Sequence, residues 1–164
     1  MDVIEQLGSL ALATRLRRLA DRLQRDVSQV YRELNVEFEA RWFAVVYYLK
    51  DHNEAPLTTV ATDLGLTHPA INQVAGQLTR RGLLRSTRDP GDYRRRLLSL
   101  TDRGRETVRA LEPVWAVIAD ASTELGSTDG SDILEALRRL ERQLDETSMY
   151  ERVMTRLRRE GILP

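Results

Sequence analysis

The chain has 164 residues, of which 41% are hydrophobic and 30% charged, a composition typical of one folded domain with a sizeable core. It contains no cysteine, which excludes disulfides, thiolate metal sites and a cysteine-based redox sensor. The formal net charge is zero, yet residues 80–105 contain nine arginines and three aspartates, a local excess of +6. Because surface potential depends on how charge is distributed, this segment is a candidate surface for an anionic partner.

The N-terminus has no basic segment followed by an apolar run, and no apolar stretch approaches the length of a membrane span. We therefore expect a cytoplasmic protein with no membrane partner.

The first 34 residues repeat apolar side chains at steps of three and four, which predicts a long helix with one apolar face. Asn35 is expected to end it. The aromatic-rich stretch 38–50 predicts a second, largely buried helix that is stopped by Asp51, Asn53 and Pro56. The apolar positions of the first helix are Leu12, Leu16, Leu19, Leu23, Val27, Val30 and Leu34.

Residues 57–65 predict a short helix and the turn that follows it. Thr58 or Thr59 can cap the helix, and Leu64 is its expected last residue. Gly65 permits the left-handed backbone that closes many helices. A further short helix follows, and two short helices joined by a tight glycine-containing turn are the signature of a helix-turn-helix.

The second helix of this motif begins after Thr67, a good N-cap, carries Pro69 in its first turn, and ends at Gly82. Its polar face has no acidic residue. Because Asn and Gln can bond adenine edges and arginine can bond guanine, this face predicts a recognition helix for the major groove of DNA. The alternative is an ordinary solvated face. The predicted DNA-binding residues here are Thr67, His68, Pro69, Asn72, Gln73, Gln77, Arg80 and Arg81.

Residues 83–88 and 96–100 predict the strands of a β-hairpin, with a type II turn in which Pro90 and Gly91 are central. Arginine on a narrow protrusion suits the minor groove, and Asp92 can pre-organise the tip by pairing with an arginine. The alternative is a solvated charge run, or ion pairs with the aspartates of the turn that serve folding alone. Directly after a helix-turn-helix, DNA binding is the favoured interpretation. The arginines concerned are Arg88, Arg94, Arg95 and Arg96.

The remainder of the chain predicts helices. Thr101 is a good N-cap for the first of them, and Pro113 lies inside its apolar pattern, where it should kink or split the helix. Residues 126–132 are a loop by composition, and a last helix starts at Ile133 and continues less regularly through Leu157. The predicted fold class is therefore mostly α with a small β-hairpin.

No active site is recognisable in the sequence. The two histidines, His52 and His68, are isolated, and no paired carboxylates, nucleophile motif or phosphate-binding glycine loop stands out. We therefore expect no enzymatic activity, no catalytic residue, no metal and no cofactor. A group of ring-bearing side chains allows two interpretations, a buried core or a pocket for a small-molecule effector. These residues are Trp42, Tyr47, Tyr48, His52 and Trp115.

Residues 57–85, LTTVATDLGLTHPAINQVAGQLTRRGLLR, and the later run DPGDYRRRLLSLTDRG closely resemble the winged helix-turn-helix of MarR-type (multiple antibiotic resistance) regulators. The wing pattern of that family is an aspartate, an arginine two positions on, Leu-Thr, and a glycine shortly after. In this chain these residues are Asp92, Arg94, Leu100, Thr101 and Gly104.

The resemblance implies a winged helix-turn-helix core flanked by long dimerisation helices. The whole chain would be one MarR-like domain, with residues 36–101 as the core and residues 1–34 and 102–160 as the dimerisation helices of an obligate homodimer. Arg94 would read the minor groove of double-stranded DNA, and Asp92 would organise it. Many members of the family release DNA when a small ligand binds near the dimer interface.

These observations predict a sequence-specific, DNA-binding transcriptional regulator. It would act as a ligand-responsive, homodimeric repressor on a pseudo-palindromic operator, because steric occlusion of a promoter needs only tight binding. One alternative is a winged-helix module that binds proteins and does not read DNA. Another is the MarR-like half of an acetyltransferase fusion, which the segment FEARWF (38–43) also resembles.

Overall fold

The computed structural model of the protein describes residues 2–127 and 132–163. Within these ranges the chain is mostly helical, with a small three-stranded sheet, which confirms the predicted fold class. Two short 3-10 helices, Gly8–Ala11 and Ala40–Trp42, precede α2 and α3. The helices are α1 (Val3–Gln6), α2 (Leu12–Glu33), α3 (Phe43–Lys50), α4 (Leu57–Asp63), α5 (His68–Arg80), α6 (Asp102–Gly126), α7 (Ile133–Glu146) and α8 (Met149–Arg159). The strands are β1 (Ala55–Pro56), β2 (Leu84–Asp89) and β3 (Asp92–Leu100).

The three strands form one antiparallel sheet in the order β1-β3-β2. The hairpin β2–β3, called the wing below, pairs Leu84 with Leu100 at its base and Asp89 with Asp92 at its tip. Leu98 lies opposite Ala55 of β1 and is fully buried. The base of the wing is therefore held in the core, while its tip extends into solvent.

The chain divides into two compact units, Met1–Val114 and Trp115–Pro164, with the boundary inside α6. The first unit contains the helix-turn-helix, the sheet and an apolar core. Its fully buried side chains include Tyr31, Trp42, Val45, Leu49, Val60, Ile71, Leu78, Leu84, Leu98 and Leu111. The second unit contains the end of α6 with α7 and α8. The predicted division into a winged core and dimerisation helices stays a prediction.

The local signals for helix ends are confirmed at most positions. The Thr67 hydroxyl accepts a hydrogen bond from the Ala70 N–H at 3.3 Å, as expected of an N-cap. Asn35 after α2 has a positive φ of 56°, and Gly65 and Gly82 have φ values of 60° and 70° after α4 and α5. The Thr101 hydroxyl accepts from the Gly104 N–H at 3.0 Å and so caps α6.

The predicted cap of α4 is wrong. The helix begins at Leu57, with Pro56 at the N-cap and no side-chain hydrogen bond there, so Thr58 and Thr59 lie inside the first turn. The cause is tertiary, because Pro56 pairs with Leu97 of β3 and this short strand determines where the helix can start.

Other predicted features also differ, and the second strand of the wing, predicted from residue 96, already begins at Asp92. The segment predicted as a helix from residue 38 has extended backbone at Glu39 and becomes α-helical only at Phe43. Pro113 does not split α6, which is one helix from Asp102 to Gly126, so of the two predicted outcomes only a kink is left as a prediction. The last predicted helix is two helices, because Ser148 starts α8 with its own cap. Most of the loop predicted at 126–132 lies outside the described residues.

Apolar helix faces are in contact with solvent in both units of the described chain. On α2 the exposed residues include Leu12, Leu16, Leu19, Leu23 and Val30. In the second unit they include Ile133, Leu134 and Leu144 of α7 and Met149, Tyr150 and Val153 of α8. Exposed apolar faces of this extent are typical of interaction surfaces. Within the described ranges, no helix has the length and apolar character needed to cross a membrane.

Candidate nucleic-acid interface

Helix α5 is the candidate recognition helix, and its two faces are clearly divided. Ile71, Ala75 and Leu78 are buried in the core of the first unit, which fixes the rotation of the helix. The opposite face presents exposed polar side chains and no carboxylate. Its exposed residues among those predicted are Thr67, His68, Pro69, Asn72, Gln73, Arg80 and Arg81.

Gln77 differs from the other predicted residues of α5 because it is half-buried. Its Oε1 accepts a hydrogen bond of 2.8 Å from the indole N–H of Trp42, a residue only 2% exposed. Trp42 also packs edge-on against Phe38, with 5.7 Å between the ring centroids. The Gln77 amide therefore ties α5 to the segment that precedes α3.

At its C-terminal end, α5 meets an acidic residue that the sequence did not single out. Glu37, between α2 and α3, lies with its Oε1 3.0 Å from Nη1 of Arg81 and its Oε2 3.9 Å from Nη2 of Arg103. All three side chains are about half exposed or more. Arg81, predicted to contact DNA, thus already has a carboxylate partner that a phosphate would have to compete with.

The tip of the wing is organised by its two aspartates. The Asp89 carboxylate accepts from the Gly91 N–H at 2.8 Å, and the Asp92 carboxylate accepts from the Arg94 N–H at 3.0 Å. Gly91 does not have a positive φ, so the predicted type II turn is wrong. The aspartate side chain closes the turn where the glycine was expected to do so.

Asp92 contacts the backbone of Arg94, and in the part of the chain that the structure describes no guanidinium group pairs with its carboxylate, so its role as the organiser of an arginine stays a prediction. Within residues 2–127 and 132–163, no side-chain hydrogen bond or ion pair holds Arg88, Arg94 or Arg95. The guanidinium groups of these arginines are therefore available to bind an anion such as phosphate.

Arg96 makes contacts that the other wing arginines lack. Its Nη1 donates to Oδ1 of Asn72 on α5 at 3.2 Å, and its Nε and Nη2 donate to the Ser86 hydroxyl at 3.1 and 2.8 Å. Since Ser86 belongs to β2, one side chain joins both strands of the wing to α5. The contact brings the polar face of α5 at Asn72 next to the wing at Arg96.

The predicted aromatic pocket residues occupy different environments. Tyr48 and His52 stack on the surface, with 4.2 Å between the ring centroids and 3° between the planes. The Tyr48 hydroxyl donates to Asp63 at 2.6 Å, and this hydrogen bond raises the pKa of Tyr48. Tyr47 lies beneath the ammonium group of Lys50, which is 4.5 Å from the centre of the ring.

Trp42, by contrast, contributes to the wall of an open groove of about 1140 Å³ in the first unit, and Tyr47, Tyr48 and His52 do not line this groove. The groove lies along α2 and the segment that follows it, and Glu37 and Arg81 are also on its wall. Trp115 belongs to the second unit. The effector pocket therefore stays a prediction, with Trp42 as the member that the structure connects to α5.

Ser86 and Glu37 are the residues that the sequence did not indicate. A partial signal for Ser86 exists, because the register of the wing puts Arg96 opposite Arg88 and therefore diagonal to Ser86 on the same face. No comparable signal exists for Glu37, whose partners are 44 and 66 positions further along the chain.

Comparison with known protein families agrees with the helix-turn-helix and wing described above. The family model described as the MarR family matches residues 37–95, which contain α3, α4, α5, β2 and the tip of the wing. A search among curated protein sequences found no match.

Solved structures provide relatives over most of the chain. It is similar to the transcriptional regulator PcaV from Streptomyces coelicolor, solved in complex with its natural ligand, at 30% identity over 84% of this chain and 96% of that chain, with a TM-score of 0.61. It is similar to the transcriptional repressor CouR, solved bound to a 23-mer DNA duplex, at 28% identity over 85% and 96%, with a TM-score of 0.62. A MarR family regulator from Neisseria meningitidis shares the fold at 23% identity over 98% and 99%, with a TM-score of 0.54.

The comparisons agree with the motifs that the sequence and the structure show in this chain. The family model covers the helix-turn-helix, and the similarity to PcaV extends over nearly all of that protein. The α4–α5 pair and the wing lie where the resemblance predicted them. The chain belongs to the MarR family of winged-helix transcriptional regulators.

Proposed function

We propose that two copies of this chain bind one two-fold symmetric DNA site and repress transcription from it. Helix α5 would lie in the major groove, with His68, Pro69, Asn72 and Gln73 towards the bases. The free arginines of the wing, above all Arg94, would enter the neighbouring minor groove.

One observation carries the proposal, the contact between Arg96 and Asn72 that sets the wing beside the polar face of α5. Together these elements form a surface of amides and guanidinium groups. Its two aspartates at the tip are turned to backbone N–H groups. A surface of this kind fits a polyanion with readable base edges. The DNA complex of CouR, a repressor by its description, supports the same role for this chain.

Homodimerisation follows from the same proposal. The apolar face of α2 and those of α7 and α8 are exposed in the single chain, and a second copy would cover them. Two recognition helices related by a two-fold axis would then meet two half-sites of a pseudo-palindrome.

A response to a small molecule is the third element of the proposal. Trp42 lies on the wall of the open groove and donates to Gln77, so a ligand that moves its indole ring would disturb α5. The complex of PcaV with its natural ligand supports this response. The three relatives compared above are transcriptional regulators, and none of them favours the alternative of an acetyltransferase fusion.

Selection of bound duplexes from a random pool is the experiment that tests the function. We expect a site with two-fold symmetry and a binding stoichiometry of two chains to one duplex. Recovery of no preferred sequence at physiological salt would refute the proposal.

The Arg94→Ala variant tests whether the wing contributes to DNA binding. We expect this variant to lose on the order of 1–3 kcal/mol of binding free energy for the selected site, measured by titration of a labelled duplex, if Arg94 reads the minor groove. Arg15→Ala, on the solvated face of α2, is the control and should bind as the wild type does. Equal affinities of the wild type and Arg94→Ala would remove Arg94 from the interface.

A further inference from the structure

We propose that Arg96 is a positioning residue for base recognition, a latch that orients the amide of Asn72, and does not itself contact DNA. The proposal rests on the function proposed above, because it assigns a role within that interface. It concerns a residue that the charge pattern alone places among the DNA contacts.

The latch is built from three hydrogen bonds on one guanidinium group. Nε and Nη2 both donate to the Ser86 hydroxyl, at 3.1 and 2.8 Å, and a hydroxyl oxygen has the two acceptor positions that this requires. Because the guanidinium group is planar and rigid, the two bonds to Ser86 direct the remaining edge, and Nη1 reaches Oδ1 of Asn72 at 3.2 Å.

The contact with Asn72 has a chemical consequence. A side-chain amide presents an acceptor on one side and a donor on the other, and the two can exchange by rotation about the terminal bond. Arginine can only donate, so Arg96 selects the orientation in which Oδ1 faces the wing and the Nδ2 donor faces away from it. The Asn72 amide, exposed on α5, is then set before any DNA is bound.

The orientation determines which base edges Asn72 can recognise. With its donor directed outward, the amide matches an acceptor such as N7 or O6 of guanine, N7 of adenine or O4 of thymine, and it mismatches the N4 amino group of cytosine. We therefore expect each half-site to contain one position at which cytosine is excluded on the contacted strand, and this exclusion to depend on Arg96.

Two variants separate a positioning role from a direct phosphate contact. Ser86→Ala removes the tether but leaves the charge of Arg96 in place, whereas Arg96→Ala removes both. If Arg96 positions Asn72, both variants relax the preference at the same base position. If Arg96 binds phosphate, Arg96→Ala weakens all sequences alike and reduces the salt dependence, while Ser86→Ala has no effect. The second pattern would overturn the latch.

The measured quantity is the ratio of affinities for the selected site and for a site with cytosine at the position that Asn72→Ala identifies. We expect this ratio to fall about 5- to 10-fold in Arg96→Ala and to a smaller extent in Ser86→Ala.

A double variant tests whether Arg96 acts through Asn72. Because Arg96 and Asn72 would then act through one amide, adding Arg96→Ala to Asn72→Ala should change the ratio no further. Ser86→Thr keeps the hydroxyl and should restore the wild-type ratio. Additive effects of Arg96→Ala and Asn72→Ala would contradict the proposal.

A measurement without DNA distinguishes failure of the latch from failure of the proposed function. In the wild type, the Nε–H signal of Arg96 in a nitrogen-15 NMR spectrum should exchange with water more slowly than that of Arg95, and Ser86→Ala should abolish the difference. If Arg96 and Arg95 exchange alike in the wild type, the latch is absent even when the protein selects a symmetric site. If the slow exchange is present but no duplex is selected, the proposed function fails.

Discussion

Gly104, in the first turn of α6, has no Cβ atom, and this allows the helix to start close to the backbone at the base of the wing. A Cβ added there would lie 2.2 Å from the carbonyl oxygen of Leu83, which also accepts hydrogen bonds from the N–H and the hydroxyl of Thr101 at 3.1 and 3.2 Å. The first turn of α6 therefore contacts the base of the wing as closely as backbones allow, and only glycine fits.

We predict that Gly104→Ala lowers the free energy of unfolding by about 1–3 kcal/mol, because the clash is with held backbone. This free energy is measured by unfolding the protein in urea and monitoring the loss of helix by circular dichroism. Gly76→Ala in α5 is the matched control, since the added methyl group would meet only the flexible end of Arg80 at 3.6 Å. That variant should be neutral or slightly stabilised, as alanine is the better helix former. Equal stability of Gly104→Ala and the wild type would contradict the close approach.

A second prediction for a single residue concerns Glu37. It shares its carboxylate between Arg81 and Arg103, so Glu37→Gln should free both cations for phosphate. We expect a several-fold rise in affinity for all duplex sequences at low salt, which becomes small at high salt as the charges are screened. Glu39→Gln, which removes the partner of Arg41 at 2.6 Å, is the control and should have a weaker effect. An equal rise in both variants would show that net charge alone is responsible.

Among the elements, helix α8 depends on a capping box at its start. The Ser148 N–H and hydroxyl donate to the Glu151 carboxylate at 2.9 and 2.8 Å, and the Ser148 hydroxyl accepts from the Glu151 N–H at 3.2 Å. The hydrogen bonds from Ser148 lower the pKa of Glu151. Because the pKa of Glu151 is lowered in the folded state, the ionised carboxylate contributes to stability at pH values above the ordinary pKa of a glutamate. That stability is lost as the pH falls through the lowered pKa.

We therefore predict that Ser148→Ala shifts the titration midpoint of the Glu151 carboxyl carbon, followed by NMR, upward towards that of an unperturbed glutamate. Glu135 is an internal control because its pKa is lowered by different partners, Arg142 and then Arg138, and should not change. An unchanged midpoint for Glu151 would show that the box does not persist in solution.

At the scale of the molecule, the exposed apolar faces predict that the chain acts as a pair. Leu19→Glu places a charge in the middle of the apolar face of α2, where Leu19 is 55% exposed in the single chain. If a second copy covers this face, burial of the unpaired charge should convert the dimer to monomer, which sedimentation or light scattering would show. Thr14→Glu adds the same charge on the opposite face of α2 and should leave the dimer intact. A wild type that is monomeric at micromolar concentration would refute the pairing.

Local features of the sequence predicted much of this fold. Thr67 as a cap, positive φ at Gly65 and Gly82, and the order of helices and strands all depend on contacts within a few residues of each other. A motif of this kind retains its preference in any context, because capping and glycine geometry are properties of short segments. The predicted α4 cap and the type II turn at Gly91 failed where a neighbouring strand or an aspartate side chain offered a more favourable contact.

The sequence by itself therefore determined the family, the helix-turn-helix and the set of polar and basic residues on its surface. Only the tertiary structure decided which partner each of them meets, since Arg96 meets Asn72 across 24 positions, Trp42 meets Gln77 across 35, and Arg81 meets Glu37 across 44. Two arginines of one run are alike in pattern, yet within the described residues the Arg94 guanidinium group makes no hydrogen bond or ion pair, while that of Arg96 donates to the Asn72 amide on α5. The physical reason is that a long, flexible side chain takes its role from the partners that folding brings within hydrogen-bonding distance, and no local pattern records those partners.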